Sequence, residues 1–576
     1  MQSRKKEPWF GIIVCLIILL IARFFCLSDP AAIATNMPLN SPHLLTDPFL
    51  QLPTANSVNV VWFTEFEGDL HWTLVGEKLD QKFLATTTKL SRVREDENSN
   101  LEPQPQQLQV RDVWRHEAIV TGLESGDKVP YQVFSTTGDE TISSKVFSLR
   151  NLPSQNSNLK ILLTSDHQLM PMTAANMQKV SETMGQVDGV FFAGDLVNFP
   201  DRASEWFDDN LGGAFFPNLQ GKASYQLEKE GKTEVYHGGE IIQNAPLFSC
   251  LGNHEVMGRY SENKTIRRQF YDAFPRDPKQ TKPVTTEIKN QSFNTETYEE
   301  IFSLPQSKPG GKQYYATTFG DVRLVVLYVT CIWRFPELKF DLPARYQENP
   351  DDFEKPEKWG NGQHIFESIR QGSKQYQWLE SELNSDDWQN AKYKVVMFHH
   401  PPHTLGGNIV PPYTDPVQTI ERDPNQQITN VIYEYPKAKD YIVSDLVPLL
   451  ESAGTQLVLY GHSHLWNRFQ SEAKTHFLET SNVGNSYGAH TAYNPREVPD
   501  NPNYVTVGNP NGLEPIVPNL KPLQDESGQP MPYIASNDFT AFSILDTSKG
   551  TVASYYFDTR KLDSEVVKFD EFELGS

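Results

Sequence analysis

The chain has 576 residues, 38% of them hydrophobic and 22% charged, with a formal net charge of −22. That length admits several domains, and the composition is that of a globular protein rather than a fibrous or wholly disordered one. The acidity argues against a nucleic-acid scaffold as partner, because a sequence-independent grip on DNA or RNA needs a cationic surface to displace phosphate counterions. An acidic chain can still take anionic substrates where bound cations dominate the local field.

The first element, residues 1–34, reads as a signal peptide or signal anchor. Arg4, Lys5 and Lys6 form a basic start. The apolar run from Phe10 to Ala22 spans about 13 residues, the length of a signal-peptide core rather than a full membrane span. Arg23 interrupts it, and Ala32-Ile33-Ala34 offers a small-residue cleavage pattern. Cleavage after Ala34 would release the protein; retention would leave a membrane tether. Either way the basic side stays cytoplasmic and the rest is exported, so the expected location is periplasmic, extracellular or membrane-anchored outside the cytoplasm. Cys15 and Cys26 lie in or beside this segment, and Cys250 and Cys331 end apolar runs. No CxxC spacing exists, which argues against a cysteine zinc site. A Cys250–Cys331 disulfide and two separate buried thiols both remain open, the second being the simpler reading.

A Pro/Asn-rich linker, 35–56, precedes an all-β stretch at 57–152. Val58, Val60 and Trp62 alternate along one strand, and Tyr131 to Phe134 follow a Gly126-Asp127 turn, as in a β-sandwich. The segment from His116 to Tyr131 resembles the edge of a fibronectin-III-like domain. It shows no chemistry and reads as a structural or docking module. From Leu159 the pattern becomes that of a layered α/β domain, extending over 158–560. Strands are predicted at 159–164, 189–193, 246–251, 322–329, 394–398 and 456–460, and a helix at 174–184. A closing hairpin is predicted at 539–545 and 552–557, followed by a tail, 561–576. Stretches near 200–240, 259–312 and 404–436 are polar or Pro-rich and read as loop-like insertions.

Five of these strands end in metal-ligand residue types: Asp166-His167-Gln168, Gly194-Asp195, Gly252-Asn253-His254-Glu255, His399-His400-Pro401 and Gly461-His462-Ser463-His464. In layered α/β folds ligands gather beyond the carboxyl ends of strands. Asp, Asn and His offer hard oxygen and borderline nitrogen donors suited to Fe, Mn or Zn. Two such cations about 3.5–4 Å apart clamp the attacking and leaving oxygens of phosphoryl transfer. Glycines before Asp195, Asn253 and His462 permit tight turns at the ligand.

This ordered set resembles the calcineurin-like metallophosphoesterase superfamily, and within it the purple acid phosphatases, which also place a fibronectin-III-like domain ahead of the catalytic one. The resemblance covers most of 57–560. It implies a four-layer α/β/β/α sandwich behind an all-β one. It further implies two divalent or mixed-valence ions (Fe, Mn or Zn), a small phosphorylated substrate, and in-line attack by a metal-bound hydroxide. By position, Asp166 and His464 would hold the first metal, and Asn253, His399 and His462 the second. Asp195 would bridge, and His254 would stabilise the phosphoryl group or protonate the leaving group.

Two departures stand out. Where the purple enzymes have a tyrosine three residues after the bridging Asp, this chain has Asn198, so no purple charge-transfer colour is expected. Two residues after the first Asp, where the superfamily has His and the purple enzymes Gly, it has Gln168, whose amide oxygen is a possible metal donor. Strand alternation would turn His167 away unless the chain bulges. His167, Asn198, His400 and Arg468 remain candidates for supporting or substrate-side roles, Arg468 equally for a core ion pair. Glu255 reads as a turn stabiliser rather than a base. The function expected is hydrolysis of phosphate monoesters, acid-phosphatase-like. A phosphodiesterase or nucleotide pyrophosphatase on the same residues is the alternative. From another class, a non-catalytic surface binding protein with a degenerate metal site is the rival. No His-Glu-x-x-His or Gly-x-Ser-x-Gly motif supports a peptidase or serine hydrolase.

Overall fold

Continuous apolar runs are what strands buried on both faces require, and those after Leu159 form two parallel cores. The computed structural model describes residues 42–576 except 125, 127, 273–289, 335–345, 357–358, 360–361, 499–503, 562 and 576. The targeting segment expected at 1–34 lies outside the described residues. Among those described, no helix is long and apolar enough to cross a membrane.

One sheet runs Leu247–Ser249, Gly189–Phe192, Lys160–Thr164, Phe539–Asp546, Thr551–Asp558, Val567–Glu573. Its first three strands are parallel and the rest antiparallel. The other runs Tyr315–Phe319, Val322–Val326, Tyr393–Met397, Leu457–Tyr460, His476–Thr480, Trp466–Gln470, Tyr533–Ile534. The second, third, fourth and fifth of these strands are parallel.

Period-2 alternation sorts the side chains of the second sheet. Leu324, Val326, Val395, Met397, Leu457 and Leu459 share a core with Leu163, Val190 and Phe192 of the first sheet. Val325, Val396, Phe398, Val458 and Tyr460 instead pack with Leu379, Leu383 and Leu450 of the helices Lys374–Leu383 and Val447–Ser452. Helix Thr173–Met184 buries Met177 and Val180 against the first sheet. The layers are therefore helix, sheet, sheet, helix.

Ahead of them, residues 49–149 form an eight-stranded antiparallel array around Val58, Val60, Trp62, Ala118, Tyr131 and Val133. Its 92–96 segment is tied to the layered α/β region by buried ion pairs. Arg94 donates to Asp201 at 2.7 Å and Arg202 to Asp96 at 3.0 Å. Asp96 also accepts from the backbone N–H of Ile266 at 2.7 Å. The β-region thus clamps two segments, near 202 and near 266, that border the site described below.

Several expectations are corrected. The 561–576 stretch is not a tail: Val567–Glu573 forms an edge strand that buries Phe569 and Phe572. A register shift at Ser554/Tyr555 and the charged Lys568, Asp570 and Glu571 hide its alternation. The stretch near 200–240 is ordered. Trp206, Phe207, Phe215 and Phe216 are buried, and Tyr225–Lys229 pairs with Lys232–Tyr236 across a Glu230-Gly231 turn, both residues left-handed as a two-residue hairpin demands. Within 404–436, Val417–Arg422 and Ile428–Glu434 form another hairpin. Cys250 and Cys331 are free, buried thiols in different clusters.

Candidate functional site

Asp166, Asp195 and Asn253 each follow a parallel strand of the first sheet, and His399, His462 and His464 follow parallel strands of the second. The structure brings all six to one place, where the carboxyl ends of both sheets meet. Four of them, Asp166, Asp195, His462 and His464, have left-handed backbone, with φ of 55°, 57°, 82° and 56°. Side chains rarely adopt that region, and such strain gathers at functional sites where surrounding contacts hold it. The flanking glycines leave no alternative. A Cβ on Gly252 would lie 2.1 Å from Asp195 Oδ1, and one on Gly461 2.3 Å from Asp166 Oδ2.

Donor atoms crowd in two groups. His399 Nε2 lies 3.1 Å from Asp195 Oδ2, 3.1 Å from Asn253 Oδ1 and 3.1 Å from His462 Nδ1. One proton on His399 cannot satisfy three acceptors; a cation can, since donors about this far apart are what a coordination shell looks like. The other group is Asp166, Asp195 and His464, whose donor atoms lie within 4.8 Å of one another, with His464 Nε2 3.6 Å from Asp166 Oδ1. Asp195 belongs to both groups.

The electrostatics point the same way. Burial, then the neighbouring Asp195 charge, pushes the Asp166 carboxyl up to about 7. Asp195 is also buried, but His399 and His254 override that and hold it below the ordinary carboxylate range. Burial would lower His399, yet the contact with Asp195 raises it to about 10. Burial, then mutual repulsion with His400, His399 and His464, drives His462 well below its ordinary value, and burial takes His464 down to about 4. Two buried carboxylates, two imidazoles held neutral (His462 and His464) and a third, His399, drawn toward protonation by Asp195 form a donor set short of positive charge, which fits divalent cations.

Two buried acids shape the loops. Glu255 accepts from the backbone N–H groups of Asp195, Leu196 and Gly252 at 2.9, 2.7 and 2.7 Å, a turn-holding role. Glu479, which the sequence did not reveal, does the same behind His462 and His464 by accepting from Ser463 N–H at 2.8 Å. Burial raises each to about 8.

His254 sits above the donor groups. Its Nδ1 pairs with the Asn198 carbonyl at 2.8 Å and its ring stacks on Phe270, so Nε2 is the nitrogen left for the cavity. Asn198 thus orients His254 through its backbone, while its side chain donates to the Gln168 carbonyl at 2.8 Å. His400 stacks its ring on His462 at 3.8 Å, with Nε2 3.1 Å from Cys331 Sγ, and so buttresses His462. Two candidates fall away. His167 pairs with Thr164 Oγ1 and packs on Phe192 and Phe215. Arg468 is committed to Asp570 in the core at 2.8 Å.

A cavity of about 550 Å³ opens over the site, bordered by Gln168, Asp195, Asn253, His254, His462 and His464. Its outer wall holds residues that sequence reasoning missed: Asn98 from the β-region, Arg267 and Tyr271 from the 259–312 insertion, Asn408, and Asn485 and Tyr487 from the loop after Thr480. Arg202 is locked by Asp96 and Glu205, whereas Arg267 is exposed and makes no ion pair among the described residues. The only sequence signal for the last loop was its run of Gly, Asn and Pro.

The sequence model of the calcineurin-like phosphoesterase family matches residues 159–465. Among solved structures the chain is similar to a purple acid phosphatase isolated from yellow lupin (Lupinus luteus) seeds. That likeness has a TM-score of 0.50 and 14% identity, over 91% of this chain and 74% of that one. No curated protein sequence matches. With the family model covering more than half its length and a cavity built around two groups of metal-donor atoms, the chain belongs to the calcineurin-like phosphoesterases and is a metal-dependent hydrolase of phosphate esters.

Proposed function

We propose that the protein hydrolyses phosphate monoesters at a centre of two cations of the Fe, Mn or Zn class. Asp166 and His464 would hold the first, Asn253, His399 and His462 the second, and Asp195 both. Bound there, the pair would supply charge to offset the phosphoryl oxygens and to acidify water. The chain's own residues do the rest. His254, fixed through Nδ1 by Asn198, presents Nε2 to the phosphoryl group or leaving oxygen. Arg267 at the cavity wall offers a guanidinium to the substrate's anionic end. Glu255 and Glu479 keep the loops in place before substrate arrives. The reading rests above all on the convergence of His399 Nε2 with three other donors at 3.1 Å.

Export, with residues 1–34 as cleaved signal or retained tether, is part of the same proposal, supported by the basic-then-apolar start. So is a supporting role for a fibronectin-III-like β-region, which clamps the cavity wall through Arg94 and Asp96.

The test is phosphate release by the full chain from 4-nitrophenyl phosphate and bis(4-nitrophenyl) phosphate, after chelation and refilling with Mn, Fe or Zn. Metal-dependent turnover with preference for the monoester is expected. Preference for the diester would move the assignment to a phosphodiesterase. A folded, metal-loaded protein with no turnover on either would favour a binding protein.

A further inference from the structure

Resting on the two-cation reading, we propose that Gln168 donates its amide oxygen to the first cation, making that half of the centre a hard, oxygen-rich site chemically unlike the other half. Gln168 stands two residues after Asp166, where the backbone curls: φ is 41° at Gln168 and 58° at Leu169. The curl is pinned to the Asp195 loop. Gln168 N–H donates to the Leu196 carbonyl at 3.1 Å, and its own carbonyl accepts from Asn198 Nδ2 at 2.8 Å. So fixed, the residue lines the cavity beside Asp195, His462 and His464.

It is 2% exposed, and its Oε1 is buried with no hydrogen-bond partner. An amide oxygen cut off from water and given no donor is unfavourable, and native structures rarely keep one without a use. It lines the cavity together with Asp195, His462 and His464, and a cation held among those donors is the partner it lacks.

The donor sets then differ. Around the first cation are oxygens of Asp166, Asp195 and Gln168 with one imidazole, His464. Around the second are oxygens of Asp195 and Asn253 with two imidazoles, His399 and His462. Oxygen donors suit Mn and Mg, whereas imidazole suits Zn and Fe. The first half is therefore assigned to an Mn-class ion and the second to a Zn- or Fe-class ion.

The experiment is calorimetric titration of the chelated full chain with Mn²⁺ and with Zn²⁺, with metal content measured in parallel. The unaltered protein should bind two ions. Gln168→Leu should weaken one of the two Mn²⁺ sites by about tenfold or more while leaving the other within about twofold. Gln168→His should shift that same site toward Zn²⁺. Gln168→Glu keeps an oxygen and adds charge, so it should retain or tighten Mn²⁺ and serves if the Leu variant fails to fold. His464→Ala marks the first site in the same assay. If His464→Ala removes a site that Gln168→Leu leaves unchanged, the proposal is overturned while the two-cation centre stands. If the unaltered protein binds neither metal, both readings fall.

Discussion

The two halves of the proposed centre share Asp195 but are held to the protein in different ways. In the second half, His399 Nδ1 is fixed at 2.8 Å by the carbonyl of Ala193, a strand-end residue, and His462 is backed by the stacked ring of His400. In the first half, His464 Nδ1 reaches, among the described residues, the Asn485 carbonyl at 3.4 Å, and its ring lies against Tyr487, which is 71% exposed. One half leans on the sheet core, the other on a surface loop. Rigidity at a ligand comes from what stands behind it, so the first half should be the weaker and more exchangeable site.

The shared residue should show the largest effect. Asp195→Asn removes the charge both halves use, so turnover should fall by roughly a thousandfold or more, with both metals lost. Measuring phosphate release beside metal content checks this. The glycines separate the halves. Gly252→Ala forces a Cβ onto Asp195 and should abolish both metals, whereas Gly461→Ala forces one onto Asp166 and should strip the first preferentially. Equal loss of both metals in the Gly461 variant would contradict the division. Arg267→Ala touches neither half. Its expected effect is a rise in KM of about tenfold with kcat within about twofold, since a wall cation binds ground and transition states alike. Tyr487→Ala should weaken only the first metal, by a few-fold, read in the same titration.

A last effect sits outside the centre. His116 in the β-region is buried, and its pKa is pulled down to about 3 by burial, then by His71, on which its ring stacks at 3.6 Å. The unfolded chain takes up a proton near pH 6.5 while the folded one refuses it until about 3. Stability is therefore full above pH 6.5 and is lost as pH falls through that window, by up to about 1.4 kcal/mol per pH unit. Thermal melting of the metal-free protein between pH 7 and 5 should show the decline, and His116→Gln should make it shallower, the remaining slope belonging to other buried histidines such as His462 and His464. A slope unchanged in the variant would assign the decline to other groups.

What could be read in advance follows from locality. Asp195, Asn253, His254 and His462 sit within one or two residues of a glycine that must lack a Cβ and directly after a buried strand, so sequence and geometry are bound together over a few residues. Arg267, Tyr487 and Asn98 reach the cavity from segments with no period of their own, and nothing local marks them. The Arg468–Asp570 pair spans 102 positions, and only the folded sheet reveals that this arginine is already committed. The left-handed backbone at Asp166 and His464 is imposed by the loops around them rather than by their own preferences.

Anomalous diffraction at the Mn edge, on crystals of the full chain grown with Mn²⁺, tests the two-cation centre most directly. Two peaks are expected. One should lie among Asp166, Gln168, Asp195 and His464, and the other among Asp195, Asn253, His399 and His462. A single peak, or one held by His400 in place of His399, would contradict it.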